Sequence, residues 1–269
     1  MKTRDITKIG TLTLLMMFAA VAAFAGDPGE WGDAPEGSIA YPSTGVIGSF
    51  PTCQNTGPAQ WIWHSPLCWA FFGPGFDFEM EGNAGNCGMF PPYDADECFA
   101  DNDAGLIIPP AYTIVPQGGG LVVVPCQVPG PLGYICTWAI WGGNVDIHVT
   151  NTMPVDGFLN VLMDFDQSGS WGGASNCGSA PAPEHVLVNW PVPMGFSGPV
   201  SALGPQPFLL GPRDRYIWTR FSVTEQAVQL DWDGSGIFED GETEDYLLEL
   251  IHPSATSQTS WTTIKSLYR

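Results

Sequence analysis

After residue 25 no stretch of this chain keeps a sustained 3.6-residue apolar repeat, and 33 glycines and 25 prolines cut it into short runs. Glycine weakens a helix through backbone entropy and proline through its missing N–H, so this punctuation excludes a helical bundle and leaves short strands joined by turns. Runs of β-branched and aromatic residues lie between breakers at 121–128, 134–141, 144–150, 158–165, 185–190, 216–223 and 246–251. Gly142-Gly143, between the second and third, predicts a two-residue hairpin, because such a turn requires positive φ. The expected fold is all-β: an antiparallel, jelly-roll-like β-sandwich. Its long N-terminal half, about 26–115, is rich in Trp, Pro, Gly and acids and is expected to wrap it as loops.

Two segments carry metal-ligand spacing. Asp231, Asp233, Ser235, the Ile237 carbonyl, Glu239 and Glu242 stand at places one, three, five, seven, nine and twelve around a glycine at the sixth, Gly236. A calcium loop gathers its oxygens in that pattern, with the last acid bidentate. Asp164, Asp166 and Ser168 open in the same way, but Ser175 stands where the last acid belongs. Neither segment lies between helical patterns, so a calcium ion here would stabilise a β scaffold rather than drive a helix-loop-helix sensor.

The chain begins with Lys2, Arg4 and Lys8, then an uncharged run over 9–24, then Ala23-Phe24-Ala25, the layout of an export signal cut after residue 25. The uncharged run is short of the ~20 residues a spanning helix needs, and no later run reaches that length. The expected organisation is a signal over 1–25, one β domain over 26–253 and a polar tail over 254–269, the product being secreted or at the cell surface. Cleavage takes the formal charge from −20 to −22. Such a surface repels nucleic acid and anionic membranes and attracts divalent cations, although an acidic surface also serves solubility alone. The expected partners therefore exclude nucleic acid, and no membrane insertion is expected after cleavage.

Export permits disulfides. Cys53, Cys68, Cys87, Cys98, Cys126, Cys136 and Cys177 are odd in number, so at least one is unpaired within the chain. Local pairs 53–68, 87–98 and 126–136 are the simplest framework, with Cys177 left over, although spacing alone does not fix connectivity. No two cysteines have zinc-ligand spacing, and the four histidines are scattered.

Gly241-Glu242-Thr243-Glu244-Asp245-Tyr246 resembles the Gly-Glu-Val-Glu-Asp motif of the GEVED domain family of secreted bacterial proteins. Further matches follow in that family's order. Trp31-Gly32-Asp33-Ala34-Pro35 with Tyr41-Pro42 is similar to its opening, and Asp77 to Asn83 with Asp94 to Gly105 to its acidic middle. Gly157 to Asp166 resembles its strand-and-loop segment, and Thr219-Arg220-Phe221 a later strand. Thr243 replaces a valine, Glu30 stands at the place of an opening aspartate, and Ser170-Trp171-Gly172-Gly173 departs from an acid-rich continuation. The resemblance spans roughly 30–251 and implies a β-rich extracellular module with no catalytic residues to carry over.

Glu242 and Glu244 share one face of a strand at ~6.5 Å, which also suits a glycosidase pair, so a secreted hydrolase using acids near the calcium loops stays an alternative. A purely structural envelope or matrix protein is another. No nucleophile elbow or phosphate loop is present. Trp61, Trp63 and Trp69 fit either an aromatic platform for sugars or a loop-rich core. The reading these residues favour is a calcium-dependent, non-catalytic adhesion or binding module for a glycan or cell-surface component.

Overall fold

The computed structural model describes residues 28–41, 43–54, 60–76, 78, 81–82, 105–108, 131–178 and 180–253, with 113–117 and 120–124 described by their backbone. The expected signal, the tail and most of the acidic middle lie outside these residues. In chain order the strands are β1 (Glu36–Tyr41), β2 (Val46–Ser49), β3 (Ile62–His64), β4 (Ala70–Phe72), β5 (Leu106–Ile108), β6 (Thr113–Gln117), β7 (Gly120–Val124), β8 (Pro131–Tyr134), β9 (Trp138–Ala139) and β10 (Asp146–Asn151). They continue with β11 (Gly157–Met163), β12 (Ala174–Asn176), β13 (Pro181–Pro183), β14 (His185–Val192), β15 (Ser197–Pro199), β16 (Phe208–Leu209), β17 (Arg215–Thr224), β18 (Gly236–Phe238) and β19 (Gly241–Ile251). The protein is all-β. No helix among the described residues is long and apolar enough to cross a membrane.

A five-stranded sheet, ordered β14-β11-β17-β19-β8, forms the centre. β17 and β19 pair over ten residues, from Arg215↔Leu250 to Thr224↔Gly241. Side chains alternate across a strand, so parity assigns each residue to a face. Leu159, Val161, Ile217, Phe221, Val223, Tyr246 and Leu248 face one core, shared with Phe72 of β4 and Ile147 and Val149 of β10. β10 pairs with β15, β4 and β5, and this smaller sheet covers the face; Phe72 meets Phe221 edge-on at 6.4 Å. Each fully buried side chain of this size contributes about 1.5–3 kcal/mol.

The opposite face carries Leu162 and Trp218 under a second cluster with Ala34, Tyr41, Phe50, Trp171, Trp232 and Phe238. Arg220 and Asp245, also on this face, form an ion pair in which both side chains are wholly buried. The Asp245 carboxylate also accepts the N–H groups of Asp33 and Ala34, each at 2.8 Å. Arg220 donates to the carbonyls of Pro51 and Gly234 and lies over the Trp171 ring. Gly32 is required here, since a Cβ would come within 2.1 Å of the guanidinium. The opening segment, the Arg220 strand and the Glu244-Asp245 segment thus meet at one buried charge pair.

Three expectations need correction. The chain does turn at residues 142–144, but with only Gly142 at positive φ and no hairpin across it: β9 pairs with β16, and β10 joins the smaller sheet. β10 gains three strand partners in the smaller sheet, more than a hairpin with β9 would offer. The sheets are not wholly antiparallel either, because β8 runs parallel to β19 and β18 parallel to β3. The local disulfide framework also gives way. Cys136 bonds to Cys177, 41 residues away, with Cα atoms 5.3 Å apart, while Cys68 is free and buried. Cys53 is disulfide-bonded, so its partner lies outside the described residues, as does the 87–98 pair. Leu210-Gly211 brings the observed pair together: Cys136 N–H donates to the Gly211 carbonyl, and Cys177 Sγ lies 3.2 Å from that of Leu210. Closing that loop contributes about 4 kcal/mol in the chain-entropy account.

Candidate metal centre

β11 delivers Asp164 to the edge of the second core, where the chain must leave the sheet. Positive φ at Gln167 (55°) and Gly169 (86°) turns it back over the Asp164 carboxylate. Asp164 Oδ1 accepts the Ser168 N–H at 3.0 Å, and Oδ2 accepts the Gly169 N–H and the Tyr41 hydroxyl, each at 2.8 Å. Asp166, exposed, accepts the same Ser168 N–H at 2.9 Å.

A third carboxylate comes from outside the loop. β12 and β13 form a hairpin, with Gly178 at φ 77° in its turn, that carries the chain back until Glu184 N–H bonds the Gly173 carbonyl at 3.1 Å. Glu184 Oε1 then accepts the Asp166 N–H at 3.3 Å, and Oε2 the Gly172 N–H at 2.9 Å. Asp164, Asp166 and Glu184 each offer an oxygen within 4.8 Å of the others. Ser175, the twelfth residue, instead pairs with Ala182 in the hairpin. The sequence reading missed Glu184; the signal was the turn at Gly178, which folds the segment after the loop back on it.

Burial pushes Glu184 up to about 8, helped by the charges of Asp164 and Asp166, and pushes Asp164 up to about 6 against the hydrogen bonds it accepts. A divalent cation would offset this crowding of negative charge. The donors fit a hard ion: three carboxylates, whose oxygens have lone pairs beyond the single or paired hydrogen bonds that hold them in place. These three could hold a divalent cation.

The second loop is built differently. Asp231 and Asp233 are exposed, and Asp233 Oδ1 accepts the N–H and hydroxyl of Ser235. From Gly236 the chain runs straight into β18, pairing with β3, where Ile237 lies beside Trp63. Glu239 is exposed, and its N–H donates to Glu225. Glu242 has even parity on β19 and enters the first core, where it accepts the Phe72 N–H. Its carboxylate groups with Glu30 and Cys68, not with Asp231, Asp233 or Ser235. Cys68 is no thiolate: burial, then Glu242 and Glu30, push its thiol well above the usual range. Gly241 makes the close passage possible, with φ 106° and a would-be Cβ 1.9 Å from the Val223 carbonyl oxygen.

The three tryptophans do not share one exposure. Trp63 is 4% exposed and packs over Gly29, Trp61 is half-buried, and Trp69 is 47% exposed. Glu242 and Glu244 do share a face, but both are buried. His64, wholly buried, ties β3 to the β19 turn: its Nδ1–H donates to the Asp240 carbonyl, and its Nε2 meets the Thr243 hydroxyl at 2.9 Å. Compared with protein-family models, curated proteins and solved structures, the chain finds no match.

Proposed function

We propose that this protein is a secreted, calcium-stabilised β module that binds a glycan or cell-surface component and catalyses nothing. The observation that carries the reading is the convergence of Asp164, Asp166 and Glu184, three carboxylates from two separate segments with no described cation beside them. Secretion rests on the export pattern at residues 1–25 and family kinship on the GEVED resemblance. The meeting of the opening segment, Arg220 and Asp245 at one buried pair supports that kinship, because motifs far apart in sequence then have one physical reason to occur together. Burial of Glu242 and Glu244 supports binding over hydrolysis, since an acid-base pair must reach its substrate.

The deciding experiment is retention of the purified mature protein on bacterial cells and on immobilised glycans, with calcium and with chelator. Retention that needs calcium is the expected result. Hydrolysis of a polysaccharide in an activity lost on Glu244→Gln would replace this reading with the hydrolase, and retention indifferent to calcium would remove the metal from it.

A further inference from the structure

Beside the Asp164 loop, on the face of the central sheet that carries Trp218, lies a cleft of about 360 Å³. Its walls include Tyr41, Gln167, Arg215, Tyr216, Leu247 and Glu249. Two of these are non-glycine residues held at positive φ, Gln167 at 55° and Arg215 at 76°. Such backbone strain persists only where the surroundings impose it, and it gathers at ligand sites. Gln167 is fixed by its side chain, which donates to the carbonyls of Asp214 and Tyr216. Arg215 has no comparable tie: it is exposed and in no ion pair among the described residues.

In a chain of net charge −20, the basic residues described are Arg213, Arg215 and the buried Arg220, so Arg215 stands out on an acidic surface. Glu249 lines the same cleft, and no salt bridge joins the two. A cleft with one donor-rich cation, one carboxylate and apolar walls suits a ligand that donates and accepts hydrogen bonds, carries no net charge and has an apolar face. A polyanion would meet both Glu249 and the molecule's overall negative field. The volume lies at the small end of ligand sites, room for one or two sugar rings.

We infer that this cleft is the ligand site of the proposed binding module and that it takes a neutral hexose unit. Arg215 donates to ring and hydroxyl oxygens, Glu249 accepts from hydroxyls, and Tyr216 and Leu247 meet the C–H face. The inference rests on the binding-module reading above. Gln167 of the Asp164 loop and Tyr41, whose hydroxyl donates to Asp164, both line the cleft, so site and metal centre share a wall.

The test is native electrophoresis of the mature protein in gels cast with neutral glucan, mannan or galactan, and with polygalacturonate as the anionic counterpart. Arg215→Gly removes the guanidinium while relieving the positive φ, so it should weaken retardation by a neutral polymer at least tenfold while leaving the melting temperature unchanged or higher. Glu249→Gln, nearly isosteric, should weaken it comparably, and Trp69→Ala should not. Retardation that survives both cleft variants overturns the cleft and leaves the binding-module reading standing. Retardation by polygalacturonate alone overturns the neutral ligand. No retardation by any polymer, with no retention on cells or glycans, overturns both readings together. Should Arg215→Gly lower the melting temperature, Glu249→Gln alone decides.

Discussion

The loops at Asp164 and Asp231 open with the same Asp-x-Asp-x-Ser-Gly order, yet one gathers three carboxylates and the other disperses its own. The better match to a twelve-residue calcium loop is the one that opens out. From Gly236 it becomes a strand, because pairing with β3 satisfies its backbone, and the parity of β19 then sends Glu242 into the first core. The loop that lacks a twelfth acid gains Glu184 from beyond a hairpin. Spacing along a chain therefore describes a site only where the backbone between the ligands stays a loop.

The sharpest way to break this contrast is at the charge pair that anchors the second loop through the Gly234 carbonyl. Asp245→Ala leaves Arg220 buried without its partner and should cost about 3–5 kcal/mol in denaturant unfolding. A cost under about 1 kcal/mol would mean that the ion pair does not hold that loop open.

His64 tests the same loop's far end by pH. Burial, with a smaller contribution from the Arg220 charge, lowers it to about 4 from 6.5, so the folded state disfavours the charged ring. Its contribution is present in full above pH 6.5 and is lost as pH falls toward 4, about 3 kcal/mol across the window. Thermal melts at pH 7 and 4.5 should show a smaller drop for His64→Gln than for the unsubstituted protein. Equal drops would assign the acid sensitivity elsewhere.

A calcium titration tests the two loops against each other. At a hundredfold excess over Kd a bound ion stabilises by about 2.7 kcal/mol. Glu184→Gln with Asp164→Asn should abolish the calcium-dependent rise in melting temperature, and Asp231→Ala with Asp233→Ala should leave it. The reverse outcome would restore the second loop as the ion site. The smallest effect belongs to Trp69: exposed, it should change stability by no more than about 0.5 kcal/mol on substitution by Ala. Trp63→Ala, by contrast, opens the core.

Much of the scaffold was legible. Breakers and β-branched runs marked β11, β14 and β17 to within two residues, but only the apolar half of β19, because its first five residues, from Gly241, carry acids where a buried strand is usually apolar. Short N-terminal strands such as β3 and β4 were not legible, since three residues carry no period. Asp164 and Asp166 announced themselves by spacing; Glu184, Arg215 and Glu249 did not, because each reaches its neighbours across the fold.

Glycine and proline content, charge and the alternation of residues determined by themselves an all-β chain rich in turns, with acids gathered at a few of them; these are properties of local backbone freedom and side-chain polarity. Only the tertiary structure decided which acids meet, that Cys136 bonds Cys177 rather than a nearer cysteine, and which tryptophans are buried. Those outcomes depend on which strand lies beside which and on the face each residue presents. That is a matter of packing two cores against one sheet, and no segment contains it alone.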